Sequence, residues 1–113
     1  MKLVFVAGKY RAKTEWEVFQ NIRSAEALAL ELWRLGLSVI CPHKNTEMFG
    51  GAAPDDMWLK GALEMVRRCD ALVCLPDWEK SEGARGEVNL AEEIGIPIFF
   101  SLSEVKEWLV SPE

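Results

Sequence analysis

The sequence lacks the residue patterns that mark several common kinds of binding site. It has one histidine and three cysteines, with no CxxC motif and no pair of histidines, so we predict no bound metal. The GxGxxG and P-loop motifs of dinucleotide and ATP binding are also missing, and we predict no cofactor. No apolar run approaches ~18 residues, the length that a membrane-spanning helix needs, so we expect no contact with a membrane.

Basic charge is scarce overall but concentrated at the start of the chain. The net charge is −5; residues 57–113 contain eleven acidic and six basic side chains, whereas residues 1–56 contain seven of each. The first thirteen residues contain four basic side chains and no acid. Such a protein lacks the basic face that a nucleic-acid polymer requires, so we expect none as a partner. The local basic segment suits a small anion instead.

Length and cysteine usage narrow the class of protein further. The 113 residues predict a single domain, residues 1–113, whose core is large enough to form without disulfides. The cysteine count is odd and we identify no secretory signal, so we expect reduced thiols and a cytoplasmic protein. Cys41 and Cys74 lie within apolar runs, which predicts that both are buried packing residues.

Hydrophobic periodicity predicts an alternation of strands and helices. The strands are uniformly apolar, as in a parallel sheet that helices cover on both faces, and right-handed crossovers then give an α/β three-layer sandwich. We predict four parallel strands in the order 2-1-3-4, a long loop over residues 43–55, and helix caps at Asp55 or Asp56 and at Ser103. The predicted strands are residues 3–7, 37–41, 71–75 and 96–101, and the predicted helices are residues 18–35, 56–68, 84–94 and 103–110.

In this strand order the first and third strands are neighbours, and ligands bind beyond the carboxyl ends of such a pair. The prediction selects the loops at residues 8–16 and 77–83. The first loop begins with Gly8, which lets the backbone approach a ligand, and Lys9, Tyr10 and Arg11 follow with two cations and a stacking face. An ordinary solvated loop with scattered lysines is the alternative reading.

The second loop leads into a helix that contains Glu87. This residue shares a helical face with Leu90, Ala91 and Ile94, so we predict that its carboxylate points inward as a nucleophile or general base. The alternative is an acid that merely favours the helix dipole. Ser81 and the amides after it form a candidate anion site at the start of the helix.

Two further residues are candidates for ligand contact. Trp78 could line the pocket or lie in a subunit interface, and His43 could touch a ligand or serve a structural role through a hydrogen bond.

Several of these segments together resemble the nucleoside 2-deoxyribosyltransferase-like superfamily, and within it the small branch known as the DUF4406 domain, over residues 3–100. The segment at residues 78–87 is the most specific part. The matching segments are VFVAGKYR at residues 4–11, Asn21, VICPH at residues 39–43, CDALV at residues 69–73 and WEKSEGARGE at residues 78–87.

The resemblance implies a flavodoxin/Rossmann-like fold, a homodimer or larger homo-oligomer, and a nucleoside or nucleotide as the small-molecule ligand. It implies cleavage or transfer at an N-glycosidic bond, with Glu87 as the nucleophile and Ser81 and Arg11 at the phosphate. The enzymes of the family have a tyrosine where this chain has Phe5 and an aspartate where it has Ala62. Asp55 and Asp56 lie upstream and could substitute for the missing acid, and Asp56 is our candidate. The remaining members of the predicted substrate-binding set are Gly8, Lys9, Tyr10, His43, Trp78, Gly83 and Arg85.

These predictions favour an enzyme over two other classes. The first alternative is a nucleotide-binding or sensor module without catalysis, since Phe5 and Ala62 depart from the enzyme pattern. The second is a structural α/β protein whose tryptophan-rich surface serves oligomerisation.

Overall fold

Four short parallel strands form the sheet in a computed structural model that describes residues 1–111. The strands are β1 (Leu3–Ala7), β2 (Ser38–Ile40), β3 (Ala71–Cys74) and β4 (Ile98–Phe99). The helices are α1 (Glu15–Arg34), α2 (Pro42–Asn45), α3 (Asp55–Arg67), α4 (Glu82–Ile94) and α5 (Leu102–Val110), and a 3₁₀ turn covers Trp78–Lys80.

The strand order is β2-β1-β3-β4, so the predicted 2-1-3-4 arrangement is confirmed. Val4 pairs with Val39 of β2 on one side and with Ala71 of β3 on the other. This register brings the carboxyl ends of β1 and β3 side by side.

The side chains of β1 alternate between two apolar clusters, one on each face of the sheet. Val4 and Val6 pack with residues of α1 and α5, whereas Phe5 and Ala7 pack with residues of α3 and α4. The predicted α/β three-layer sandwich is therefore confirmed. The three cysteines are free and buried, which confirms the prediction for Cys41 and Cys74.

Several element boundaries differ from the predictions because local caps decide them. α1 begins at Glu15, three residues early, since the Thr14 hydroxyl accepts a hydrogen bond from the amide of Glu17 at 3.1 Å. The cap predicted at Ser103 is wrong; Ser101 caps α5 and accepts from the amide of Glu104 at 3.2 Å.

The segment at residues 43–55 departs most from the predicted loop. It contains part of α2, which begins at Pro42, a residue whose fixed φ suits the first helical position. The capping role predicted for Asp55 or Asp56 is also wrong, because Pro54 precedes the helix and both aspartates lie in its first turn. β2 and β4 are shorter than predicted at both ends.

The helices within residues 1–111 include none with the length and apolar character that a membrane span requires.

Candidate functional site

The candidate site lies where β1 and β3 end together. Ala7 pairs with Cys74, and the amide of Leu75 donates to the Ala7 carbonyl at 2.8 Å. The chain leaves β1 through Gly8 and leaves β3 toward the 3₁₀ turn and α4. Both predicted ligand loops therefore begin at the same edge of the sheet, as the strand order required.

Gly8 is required by packing against the end of β3. A Cβ atom placed on Gly8 would lie 2.8 Å from the Cβ of Leu75 and would also clash with its Cδ1. Leu75 itself is buried. The glycine therefore lets the two chain segments run close together, which is a different reason from the ligand approach that we predicted.

The next two residues of the β1 loop are held through their backbone carbonyls. The Lys9 carbonyl lies 3.0 Å from Nε2 of His43, and the Tyr10 carbonyl accepts from Nδ2 of Asn21 at 3.0 Å. The Tyr10 ring meets the His43 ring edge-on, with centroids 5.8 Å apart. Lys9 and Tyr10 are both half-buried, so this part of the loop is ordered and not freely solvated.

Arg11 reaches across to the first turn of α3. Its Nη2 lies 3.1 Å from Oδ2 of Asp55, and the two side chains are 64% and 60% exposed. Asp56 points to a different partner, with its Oδ2 3.5 Å from Nζ of Lys60. The structure thus brings Arg11 and the start of α3 together, while Asp56 lies on the exposed surface of that helix.

The segment that follows β3 is organised around the start of α4. Ser81 is the N-cap, and its Oγ accepts from the amide of Ala84 at 3.1 Å. The hydroxyl proton of Ser81 stays free to donate, and the first amides of the helix have no intrahelical acceptor. Arg85 donates from Nη1 to the Glu79 carbonyl at 2.6 Å, which ties the helix to the 3₁₀ turn.

The other two predicted contacts in this segment pack mainly against the protein. A Cβ on Gly83 would meet Cδ2 of Leu59 from α3 at 3.4 Å, so Gly83 lies in the α3–α4 contact. The half-buried Trp78 packs on the apolar cluster of the same face, with its ring centroid 5.8 Å from that of Phe100.

Glu87 lies one and a half turns into α4 and is only 8% exposed, as its helical spacing predicted. Burial raises the pKa of its carboxyl to about 8, and among the described residues no charged neighbour contributes to that shift. Burial raises the pKa of the Cys74 thiol, and the charge of Glu87 is a second cause of that rise. The inward face does not extend as far as predicted, because Ile94 is 41% exposed in the last turn.

The two positions at which the chain departs from the enzyme pattern lie on the same side of the sheet as α4. Phe5 and Ala62 are buried in the apolar cluster that also contains Val88, the residue after Glu87. A tyrosine and an aspartate there would supply a donor and a charge. Phe5 and Ala62 supply neither.

Sequence reasoning did not assign Asn21 to the site, and it considered Asp55 only as a substitute acid and not as a partner of Arg11. Asn21 contacts the β1 loop from α1, and Asp55 pairs with Arg11 from α3. The signal for Asn21 was a polar residue within a helical face of apolar ones, close to the buried Ile22 and Ala25.

The sequence was then compared with known families and proteins. The profile of a domain of unknown function, DUF4406, matches residues 3–100. The chain belongs to the DUF4406 family. A comparison with curated proteins finds no match.

Two solved structures share the fold of this DUF4406 protein. A 2-deoxyribosyltransferase from Bacillus psychrosaccharolyticus superposes with a TM-score of 0.60 at 18% identity, covering 85% of this chain and 69% of that one. A conserved protein from Enterococcus faecalis superposes with a TM-score of 0.69 at 22% identity, covering 87% of this chain and 61% of that one. The predicted relationship to nucleoside 2-deoxyribosyltransferase-like proteins is therefore confirmed at the level of fold.

Proposed function

We propose that this DUF4406 protein cleaves or transfers the N-glycosidic bond of a nucleoside or nucleotide, with Glu87 as the nucleophile. The observation that carries the proposal is a buried carboxyl one and a half turns into α4, the helix that the chain reaches from the shared end of β1 and β3. Support also comes from the shared fold of a 2-deoxyribosyltransferase. A strongly shifted carboxyl in such a position is typical of a catalytic group.

In the proposed reaction the ionised carboxylate of Glu87 attacks the anomeric carbon of the sugar. An ester bond forms between enzyme and sugar, the C–N bond breaks, and its electron pair leaves with the base. The departing base takes its proton from water. For Asp56 to deliver that proton, as we predicted, its carboxyl would first have to take one up and leave Lys60, which lies 3.5 Å away. Water or a second base then attacks the same carbon, receives the sugar and frees the carboxylate.

The substrate would be held by the groups that surround this edge. The Ser81 hydroxyl and the first amides of α4 suit a phosphate, and the Arg11 guanidinium suits the same anion from the β1 loop. The proposed substrate-binding set also includes five neighbouring residues: Lys9, Tyr10, Trp78, Gly83 and Arg85.

The pKa of about 8 sets the pH dependence of this reaction. At pH 7 most Glu87 side chains are protonated and cannot attack carbon. The rate should therefore rise with pH and level off above pH 8.

The direct test is release of free base from a panel of nucleosides and deoxynucleoside monophosphates. Glu87→Gln should abolish release, whereas Glu92→Gln, which changes an exposed carboxylate of the same helix, should leave it intact. Release that persists in Glu87→Gln, or no release by the wild type from any substrate, contradicts the proposal.

A second candidate function is nucleotide binding without turnover. Its supporting observation is the apolar pair Phe5 and Ala62, buried where the resembled enzymes have a tyrosine and an aspartate. Loss of a general acid typically costs about 10²–10⁴-fold in rate. Nucleotide-dependent thermal stabilisation with no base release would favour this function over the first.

We also propose that the protein forms a homodimer or larger homo-oligomer in the cytoplasm. The support is an exposed aromatic pair on α1, in which the rings of Trp16 and Phe19 stack with centroids 6.0 Å apart. Light scattering with size-exclusion chromatography tests the assembly, and a monomeric mass at micromolar concentration contradicts it. The three free cysteines suit a reducing compartment.

A further inference from the structure

Two consecutive carbonyls of the β1 loop each accept a hydrogen bond from a side chain of a different helix. His43, at the start of α2, contacts the Lys9 carbonyl, and Asn21, in α1, contacts the Tyr10 carbonyl, both at 3.0 Å. The first pair is separated by 34 residues in sequence and the second by 11. Both bonds therefore depend on the tertiary fold and not on the local conformation of the loop.

The polar atoms of His43 are used or covered within the protein. A carbonyl oxygen can only accept, so Nε2 carries the hydrogen and the neutral ring leaves Nδ1 bare. Nδ1 is buried and has no hydrogen-bond partner among residues 1–111, and the whole residue is only 5% exposed. Burial also lowers the pKa of the imidazole, which favours this neutral form. His43 therefore has no exposed polar atom with which to contact a ligand.

These two bonds fix the peptide planes from which the cationic side chains project. The Lys9 carbonyl belongs to the Lys9–Tyr10 peptide plane, and the Tyr10 carbonyl belongs to the plane that also contains the amide of Arg11. Fixing both planes fixes the backbone from which the Lys9 and Arg11 side chains begin. Without them, two loop carbonyls would lose their partners and the segment would sample other conformations.

We propose that His43 and Asn21 are positioning residues that hold the β1 loop in its ligand-ready conformation. The proposal rests on the proposed nucleotide function for its purpose, and on the two hydrogen bonds for its mechanism. Of the two roles that the sequence left open for His43, ligand contact and a structural hydrogen bond, it selects the second, in which His43 acts through the β1 loop and does not itself touch the nucleotide.

The test uses the full chain and two kinds of variant at position 43. His43→Gln keeps an N–H donor near the position of Nε2, whereas His43→Leu removes it. Asn21→Ala removes the second bond and gives an independent result if His43→Leu does not fold. Gln20→Ala, which changes the exposed neighbour of Asn21 on α1, is the matched control.

The first measurement is amide hydrogen exchange of the ligand-free protein. His43→Leu and Asn21→Ala should each speed exchange in the β1 loop at least about 10-fold, because a loop that loses one of the bonds holding it opens more often, with no comparable change in β3 or α4. His43→Gln and Gln20→Ala should stay near wild type. Unchanged loop exchange, equal acceleration across the whole chain, or a Gln variant as fast as the Leu variant would each overturn the proposal.

The second measurement is the affinity for the four natural deoxynucleoside monophosphates. Affinity should fall about 10-fold in His43→Leu and recover in His43→Gln, because one backbone anchor is lost and then restored. A wild-type protein that binds none of these nucleotides counts against the proposed function, while the exchange pattern still decides whether the two residues hold the loop. Wild-type binding with normal affinity in both His43→Leu and Asn21→Ala overturns the positioning role.

Discussion

Burial has different consequences for two titratable side chains of the candidate site, His43 beside the β1 loop and Glu87 in α4. Beside the β1 loop, the His43 ring gives its one N–H to a backbone carbonyl and stays neutral. At the start of α4, burial of Glu87 raises its pKa with no compensating charge in the described chain. The first arrangement stabilises a loop, whereas the second costs stability as soon as the carboxyl ionises. A fold keeps such a cost mainly where the group has a function.

The largest expected effect comes from removing the carboxyl of Glu87. Its pKa is about 8 in the folded protein against an ordinary 4.5, so between these values the folded state binds more protons than the unfolded state. Stability must therefore fall as pH rises through this window. Wild type should lose about 4 kcal/mol more than Glu87→Gln between pH 5 and pH 9, at 1.36 kcal/mol per pKa unit. Urea unfolding of both proteins at pH 5 and pH 9 measures this difference. If the two proteins lost stability in parallel, burial of Glu87 would carry no cost and the contrast with His43 would disappear.

The next effect disturbs the β1 side of the site. Gly8→Ala should cost about 2 kcal/mol, because its new methyl group would overlap Leu75 in a close-packed contact. Gly86→Ala is the matched control, since a Cβ there meets no atom within 4 Å, and it should stabilise α4 by about 0.5–1 kcal/mol. Thermal unfolding of both variants gives the comparison. Equal effects of the same sign would show that the Gly8–Leu75 contact does not constrain the loop.

A smaller effect is expected from removing a helix cap, either at the candidate site (α4) or at α5. Ser81→Ala and Ser101→Ala should each cost about 1 kcal/mol, because each removes the side-chain acceptor at a helix N-terminus. Only Ser81→Ala should also weaken nucleotide binding, since Ser101 follows β4, which pairs with β3 and not with β1. Isothermal titration of both variants tests this, and equal affinities would exclude Ser81 from the anion site.

The smallest effect on stability concerns the exposed ion pairs. Arg11→Ala and Arg34→Ala should each change the free energy of unfolding by less than about 1 kcal/mol, because surface pairs contribute little. Affinity for a nucleotide monophosphate should fall only in Arg11→Ala, and added salt should reduce the difference from wild type. Equal affinities of the two variants would show that Arg11 does not bind the nucleotide.

The sequence was most informative where periodicity decides structure. Uniformly apolar strands and helical crossovers predicted the strand order, and the spacing of Glu87 with Leu90 and Ala91 predicted its burial. Periodicity could not predict the caps, because Ser101 and Ser103 are both suitable residues and only backbone geometry distinguishes them. It also could not predict the bond between His43 and Lys9, since nothing in either residue type identifies a partner 34 positions away.

The contact between Gly8 and Leu75 has a consequence for how related sequences can vary. A residue larger than glycine at position 8 fits only if the side chain at position 75 becomes smaller or moves away. The two positions should therefore change together across the family, with small residues at one permitting larger residues at the other. In a library that randomises both codons, the surviving clones should show this anticorrelation in side-chain volume.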